Sequence, residues 1–385
     1  MVVATENGRV VSKLASPYDG LAWATAPIRA LPTYRGPVTR ADFPDPTRCP
    51  RLIHLNESPL PPSPHVAEAI RAATHDLNRY PDIAGRALAN AVAERVQMPR
   101  ENIVFGCGSD ELLHFSTTIT LAAGDEAVVP APAFPRYALS TRLAGATPRR
   151  AKLDAEGACD PDEILAAIGP RTRLVFVCTP NPPSGGMMTG EALRAVAHGV
   201  PEDVLLLLDE AYYEFGHHRG GPDTLAIMRE RKGPWLATRT FSKAYALAAL
   251  RVGYAICGDA SVAEALRRAK LQFNVPTLSQ AAALAAFQDQ PYLDKLLDAI
   301  SAERANLATG LARLGLRVWP SAANFVSCVL PGPATLAMAA LEKDGILVRD
   351  WRDPEHLNEL RIGVGMSDDT HAVLAALERY LGDAA

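Results

Sequence analysis

Between Val204 and Leu208 the chain reads VLLLL, an unbroken apolar run that ends on Asp209. Such a run has no polar side, so a strand made from it must be covered on both faces. That is the condition of a mostly parallel sheet layered with helices. Runs of the same character lie at Ile103–Phe105, Ala127–Val129, Leu174–Cys178, Trp235–Thr240 and Val252–Cys257. Between them, helical spacing marks Val66–Leu77, Arg86–Val96, Glu111–Leu121, Asp162–Ile168, Ala192–Val200 and Val262–Lys270. The alternation predicts an α/β fold.

A long amphipathic segment, Tyr292–Leu314, has the length of a helix linking two domains. After it the pattern changes to strand (Arg317–Trp319, Phe325–Val329), helix (Ala334–Lys343), two strands (Ile346–Arg349, Leu360–Val364) and helix (Thr370–Tyr380). This predicts a smaller α+β unit over 291–385, beside a large domain over 51–290 whose first part is free to pack with it. Residues 1–50, rich in proline and weakly periodic, read as an arm lying on the rest of the protein or on a partner subunit.

Charge excludes some partners. The formal net charge is −4, with no long run of one sign, so neither nucleic acid nor an anionic membrane is expected. No stretch reaches membrane-spanning length, and the first residues lack a signal-peptide pattern. The six cysteines are scattered without a C-x-x-C pair, as reduced thiols of a cytoplasmic protein are. His217–His218 reads as a solvated loop, and no metal site is expected.

Ligands of an open α/β sheet sit beyond the C-terminal ends of its strands, so the residues after each apolar run carry the chemistry. Ile103–Phe105 leads into Gly106-Cys-Gly108-Ser109-Asp110-Glu111 and then a helix. Two glycines allow a tight turn, and the first helical amides are free donors for a phosphate. A dinucleotide fingerprint would need a third glycine where Glu111 stands, and the Walker lysine is absent. A phosphate cradle of another kind and a plain strand–helix turn both remain open here. Asp209, at the end of a buried strand, needs a cation or strong donors; that partner is either an arginine or a protonated ring nitrogen. The segment Thr238-Arg-Thr240-Phe241-Ser242-Lys243 places a lysine directly after a strand, with Arg251 eight positions on. A nucleophilic lysine needs partial desolvation or a nearby cation, and Arg251 could serve as that cation while holding a phosphate bidentately. Thr240 and Ser242 add hydroxyl donors.

The string TFSKAYALAALRVGY resembles the Schiff-base lysine motif of fold-type I pyridoxal 5′-phosphate (PLP) enzymes, in the histidinol-phosphate aminotransferase-like branch. LNESPLPPSP, NRYPD, GCGSDE, PAPAFPRY, DEAYYEF, SAANFV and LRIGVG fall in the order of that family from Leu55 to the C-terminus. The resemblance implies a homodimeric aminotransferase moving an amino group from an amine donor to a carbonyl acceptor. It implies Lys243 as the Schiff-base lysine and proton shuttle, Asp209 on the ring nitrogen and Tyr212 on the ring oxygen. Phe134 would stack on the ring, and Gly108, Ser109, Asp110, Thr240, Ser242 and Arg251 would frame the phosphate. Tyr80 would reach the partner subunit's cofactor. Arg361 would bind the substrate's acidic group, with Arg349 a second cation and Asn324 a neighbour.

Two departures stand out. The loop Thr179-Pro-Asn181-Pro182-Pro183-Ser184-Gly185 has Pro182 where relatives carry the asparagine that bonds the ring oxygen. Either Asn181 takes over, or Tyr212 alone serves that oxygen. In ALAALR, Ala246 and Ala249 stand where relatives often have glycine. Tyr137, Tyr213, Tyr245 and Tyr254 read as packing residues or as supports behind the reacting groups rather than as catalysts, and Trp23 and Trp351 are open candidates for the pocket lining. The alternative reaction on the same cofactor is decarboxylation, elimination or replacement; the alternative class is a nucleotide-binding or regulatory α/β protein.

Overall fold

The computed structural model describes residues 21–31, 36–43, 45 and 50–383; of the expected arm, 1–20, 32–35, 44 and 46–49 lie outside the described residues. Seven strands form the large sheet. They are β1 (Ile103–Cys107), β2 (Glu126–Pro130), β3 (Thr147–Ala151), β4 (Thr172–Cys178), β5 (Leu205–Asp209), β6 (Trp235–Thr240) and β7 (Val252–Cys257). Their order is β1-β7-β6-β5-β4-β2-β3, and every neighbouring pair is parallel except those of β7, which runs antiparallel to both β1 and β6. The apolar runs fill the middle. Leu174–Cys178 and Leu206–Leu208 are fully buried, as strands with helices on both faces must be.

The edge strand β3 was not expected from the sequence. Its TPRRA carries a proline and two arginines and exposes most of its length, so it has no apolar signature. The helix Thr277–Gln288 was missed for the opposite reason. Its buried stripe (Ser279, Ala282, Ala283, Ala286, Phe287) has helical spacing, but alanines also occupy the other face and hide the contrast. His217–His218 corrects a reading: the pair closes the helix Tyr213–His218, with His217 stacked on Tyr213 and His218 Nε2 3.0 Å from Asp298 Oδ1.

The helix Gln290–Arg313 spans two apolar cores. Leu293, Leu296, Leu297 and Ile300 face the core of the large sheet, whereas Leu307 and Leu311 belong to a second core. That second core covers an antiparallel sheet of β8 (Arg317–Val318), β9 (Phe325–Val329), β10 (Arg349–Asp350) and β11 (Glu359–Gly363), in the order β10-β11-β9-β8. The expected single strand Ile346–Arg349 is split between two partners. Ile346–Leu347 pairs in parallel with Arg51–Leu52, and the chain then switches at Val348 to lay Arg349–Asp350 beside β11. Arg51–Ile53 therefore packs with the C-terminal unit.

Candidate active site

The C-terminal ends of β4, β5 and β6 converge on one place. Because β6 and β7 are antiparallel neighbours, the loop Phe241–Arg251 returns over those ends and carries Lys243 with it. The lysine amine donates to the carbonyls of Leu55 (2.9 Å) and Asn56 (3.1 Å). Burial, then the charges of Arg361 and Arg251 against the pull of Glu57, bring its pKa down to about 8. About one amine in ten is then free base at pH 7, far more than for a solvated lysine.

Asp209 ends β5 and is buried. Its Oδ2 accepts from the Tyr137 hydroxyl at 2.6 Å, and its Oδ1 accepts from Thr238 Oγ1 (3.1 Å) and the Ala211 amide (3.2 Å). Desolvation outweighs these donors and lifts its pKa to about 6. The adjacent carboxylate behaves differently: Glu210 forms a buried ion pair with Arg239 at 2.9 Å, and that guanidinium lies 3.2 Å over the Tyr213 ring. Of the two acids at the end of this strand, Glu210 has its arginine, whereas Asp209 meets neutral donors only.

The GCGSDE segment turns at Gly108 (φ +74°) into the helix Ser109–Thr120. A Cβ on Gly108 would sit 2.5 Å from Arg251 Nη2, and one on Gly253 would sit 2.3 Å from the Ser109 amide. Glycine at both positions lets the arginine and the helix N-terminus close on each other. Arg251 Nη1 donates to Ser242 Oγ at 3.2 Å, which also accepts from Thr240 Oγ1 at 3.0 Å. The Asp110 side chain is held away by a bidentate pair with Arg136 (2.7 and 2.9 Å), while the first-turn amides of the helix have no intrahelical acceptor. Ala246 and Arg251 adopt left-handed backbone (φ +56° and +51°). Ala246 thus holds a backbone conformation that glycine takes more readily, at a cost of about 1–2 kcal/mol.

Tyr212 is buried, and its hydroxyl accepts from Asn56 Nδ2 at 2.9 Å. Phe134, 38 % exposed, packs edge-on against Tyr137. Asn181 is turned toward its own loop. Its side-chain amide donates to the Pro132 carbonyl (3.1 Å) and Ser184 Oγ (3.0 Å), and Pro182 has no N–H at all. Tyr80 stands on the surface, 81 % exposed and stacked on Phe273 at 4.4 Å. Trp23 is exposed, whereas Trp351 is buried and donates to Ser327 Oγ at 3.0 Å.

Opposite the lysine lies the small sheet. Arg349 and Arg361 are direct cross-strand partners of β10 and β11, so their side chains share one face. Arg361 is half-buried, donates from Nη2 to the His54 carbonyl at 2.5 Å, and its Nε has no partner among the described residues. Burial, followed by Arg352 and Arg361, lowers the pKa of Arg349 to about 10. Asn324 donates to the Asn56 carbonyl at 2.9 Å and leaves its own Oδ1 unbonded.

Residues 53–377 match the family model of class I and II aminotransferases. The chain belongs to this family. Among curated class I and II aminotransferases, histidinol-phosphate aminotransferase 2 of Methylococcus capsulatus is 38% identical over 86% of this chain and 91% of its own length. An aromatic amino acid aminotransferase of Rhodococcus jostii is 37% identical, covering 91% of this chain and 94% of that protein. A crystal structure of the histidinol-phosphate aminotransferase of Sinorhizobium meliloti with pyridoxal 5′-phosphate superposes with a TM-score of 0.86 at 29% identity, covering 95% of this chain and all of the other.

PLP is accordingly the cofactor of this aminotransferase, and the residues fit it. A buried carboxylate with no cation beside it among the described residues, a partly neutral lysine, and a glycine-lined cradle of arginine, hydroxyls and helix amides suit the ring nitrogen, the aldehyde and the phosphate of PLP. Among the described residues no cluster of metal-ligating side chains occurs, and no helix is long and apolar enough to cross a membrane. Sequence reasoning missed Asn56, which touches Lys243, Tyr212 and Asn324. Tyr137, expected to pack or to support the site from behind, bonds Asp209 through its hydroxyl. The signal for Asn56 was its place in LNESPLPPSP, a string quoted for resemblance without a role for that residue.

Proposed function

We propose that this aminotransferase takes an amine donor whose acidic group sits between Arg361 and Arg349, and that an amino phosphate of the histidinol-phosphate kind fits best. The carrying observation is that pair. Like charges directly opposite on one sheet face repel, and neither guanidinium has a carboxylate at ion-pair distance among the described residues. A doubly charged anion would relieve both. A second reading, an aromatic amino acid held by its carboxylate at Arg361 alone, is favoured by the name and long coverage of the Rhodococcus relative. The acceptor is a keto acid or aldehyde, and the pathway biosynthetic.

Bound PLP supplies an electron sink conjugated to the substrate's Cα. Lys243, held near the Leu55 and Asn56 carbonyls with a lowered pKa, takes and returns the Cα proton. Asp209, kept in place by Tyr137 and Thr238, would hold a proton on the ring nitrogen. Tyr212 would donate to the ring oxygen, Phe134 would pack on the ring, and Ser109, Asp110, Thr240, Ser242 and Arg251 would hold the phosphate through amides, hydroxyls and guanidinium. Asn324 lies beside the substrate.

The functional unit is a homodimer in which Tyr80 meets the partner's site. Leu77, Ile83 and Leu271 are exposed alongside Tyr80, an apolar patch that a second copy would cover. The five described cysteines are free, which fits a reducing cytoplasm. We take 51–290 and 291–385 as the two domains, with Arg51–Ile53 joined to the second by packing.

A donor screen tests this reading. Incubation with the true donor alone bleaches the visible band and yields a carbonyl product by mass, whereas CO₂ release without bleaching refutes transamination. Arg349→Gln should weaken an amino-phosphate donor by roughly tenfold or more in kcat/KM and change a carboxylate-only donor little. Equal losses on both would refute the phosphate assignment. Lys243→Ala should abolish the lysine-linked visible band.

A further inference from the structure

Asn56 touches both the lysine and the tyrosine of the site. Its backbone carbonyl accepts from Lys243 Nζ (3.1 Å) and Asn324 Nδ2 (2.9 Å), and its side-chain amide donates to the Tyr212 hydroxyl (2.9 Å). Both Asn56 and Tyr212 are buried, and Asn56 holds a left-handed backbone (φ +55°), a conformation asparagine tolerates better than most residues.

The direction of the Asn56–Tyr212 bond matters. A phenol oxygen that accepts a proton from an amide still has its own proton to give. Among the described residues nothing accepts the Tyr212 proton, and the only nearby alternatives on the loop are unavailable as donors to the cofactor: Asn181 is bonded to Pro132 and Ser184, and Pro182 has no N–H. The reverse orientation of the Asn56 amide would bury both of its N–H groups without partners, whereas the present one bonds one of them and leaves the other N–H and the carbonyl oxygen unbonded, the milder defect.

We infer that Asn56 is a positioning residue: by donating to the Tyr212 hydroxyl, it commits that hydroxyl to donating to the ring oxygen of PLP. The inference rests on the reading of Tyr212 as the ring-oxygen partner and adds the residue that controls its proton. A donor at the ring oxygen favours the deprotonated form of the bound chromophore. Its loss therefore raises the pH at which the visible band changes.

The test is a visible-absorbance pH titration of PLP-loaded enzyme. In Asn56→Asp the carboxylate can only accept, so it draws the Tyr212 proton to itself, and the midpoint should rise by about one pH unit or more. Asn56→Gly adds no charge and suits the left-handed backbone, so it should raise the midpoint by less, with thermal stability checked beside it. In a Tyr212→Phe background, Asn56→Gly should add no further shift. A purely conformational role for Asn56 predicts that the glycine variant titrates like wild type, and that result overturns the inference, as does a shift that simply adds to that of Tyr212→Phe. If Tyr212→Phe itself titrates like wild type, the reading of Tyr212 fails and the inference falls with it. A shifted Tyr212→Phe beside an unshifted Asn56→Gly removes the inference alone.

Discussion

Asp209→Asn should make the cofactor-free protein more stable at neutral pH while impairing the enzyme. Burial raises the Asp209 pKa from 3.8 to about 6, so the folded chain holds this proton more tightly than the unfolded chain. For an acid shifted in that direction, the stabilising contribution is full below the unfolded value and is lost as pH rises through the folded one. Two pH units correspond to ~3 kcal/mol, withdrawn between about pH 4 and pH 7. Asparagine keeps an oxygen to accept from Thr238 and the Ala211 amide, and its amide can face the Tyr137 hydroxyl, so little hydrogen bonding is lost. If the chain unfolds as one unit, ~3 kcal/mol is roughly 4 °C in Tm. The assay is the Tm of both apo proteins across that pH range, repeated with saturating PLP. The wild-type curve should fall relative to the variant as pH rises, and PLP should raise the wild-type Tm more, because only the carboxylate pairs with a protonated ring nitrogen. Parallel apo curves would refute the reasoning.

Two further substitutions probe the cradle and the lysine loop. Gly108→Ala forces a side chain to within 2.5 Å of Arg251 at a φ of +74°; PLP affinity should fall by roughly 10- to 100-fold, read by titration of the apo protein, and unchanged binding would show that the arginine is not confined there. Ala246→Gly relieves a left-handed alanine worth about 1–2 kcal/mol against a backbone-entropy cost of about 0.5–1 kcal/mol, so Tm should rise slightly; a lower Tm would mean that the alanine methyl packs better than its backbone strains.

The apolar runs located six of the seven large-sheet strands because burial on both faces leaves a continuous hydrophobic mark. β3 escaped, since an edge strand needs no such mark and its arginines face solvent. Lys243, Asp209 and Arg251 were legible because strand ends are where an α/β sheet presents charge. The choice between Asp209 and its neighbour Glu210 for the arginine was not legible. It depends on side-chain alternation across β5 and β6, which sends Glu210 to Arg239 and leaves Asp209 facing Tyr137. Asn56 was hidden for a different reason: its importance comes from contacts to residues 156, 187 and 268 positions away, and no local pattern records them.

Those separations also order events during synthesis. Arg51–Leu52 finds its strand partner only in Ile346–Leu347, and the carbonyl of Asn56 meets Asn324 only once that residue exists. A ribosome delivers the N-terminal part of the site first, but its neighbours come from the last sixth of the chain. The large sheet needs nothing beyond Cys257 to be paired, so it has its strands well before the lysine has the Leu55 and Asn56 carbonyls in their final place. The catalytic pocket is thus closed by the oldest and the youngest segments of the nascent chain, and a polypeptide truncated before Ile346 carries the cofactor cradle without the clasp that completes it.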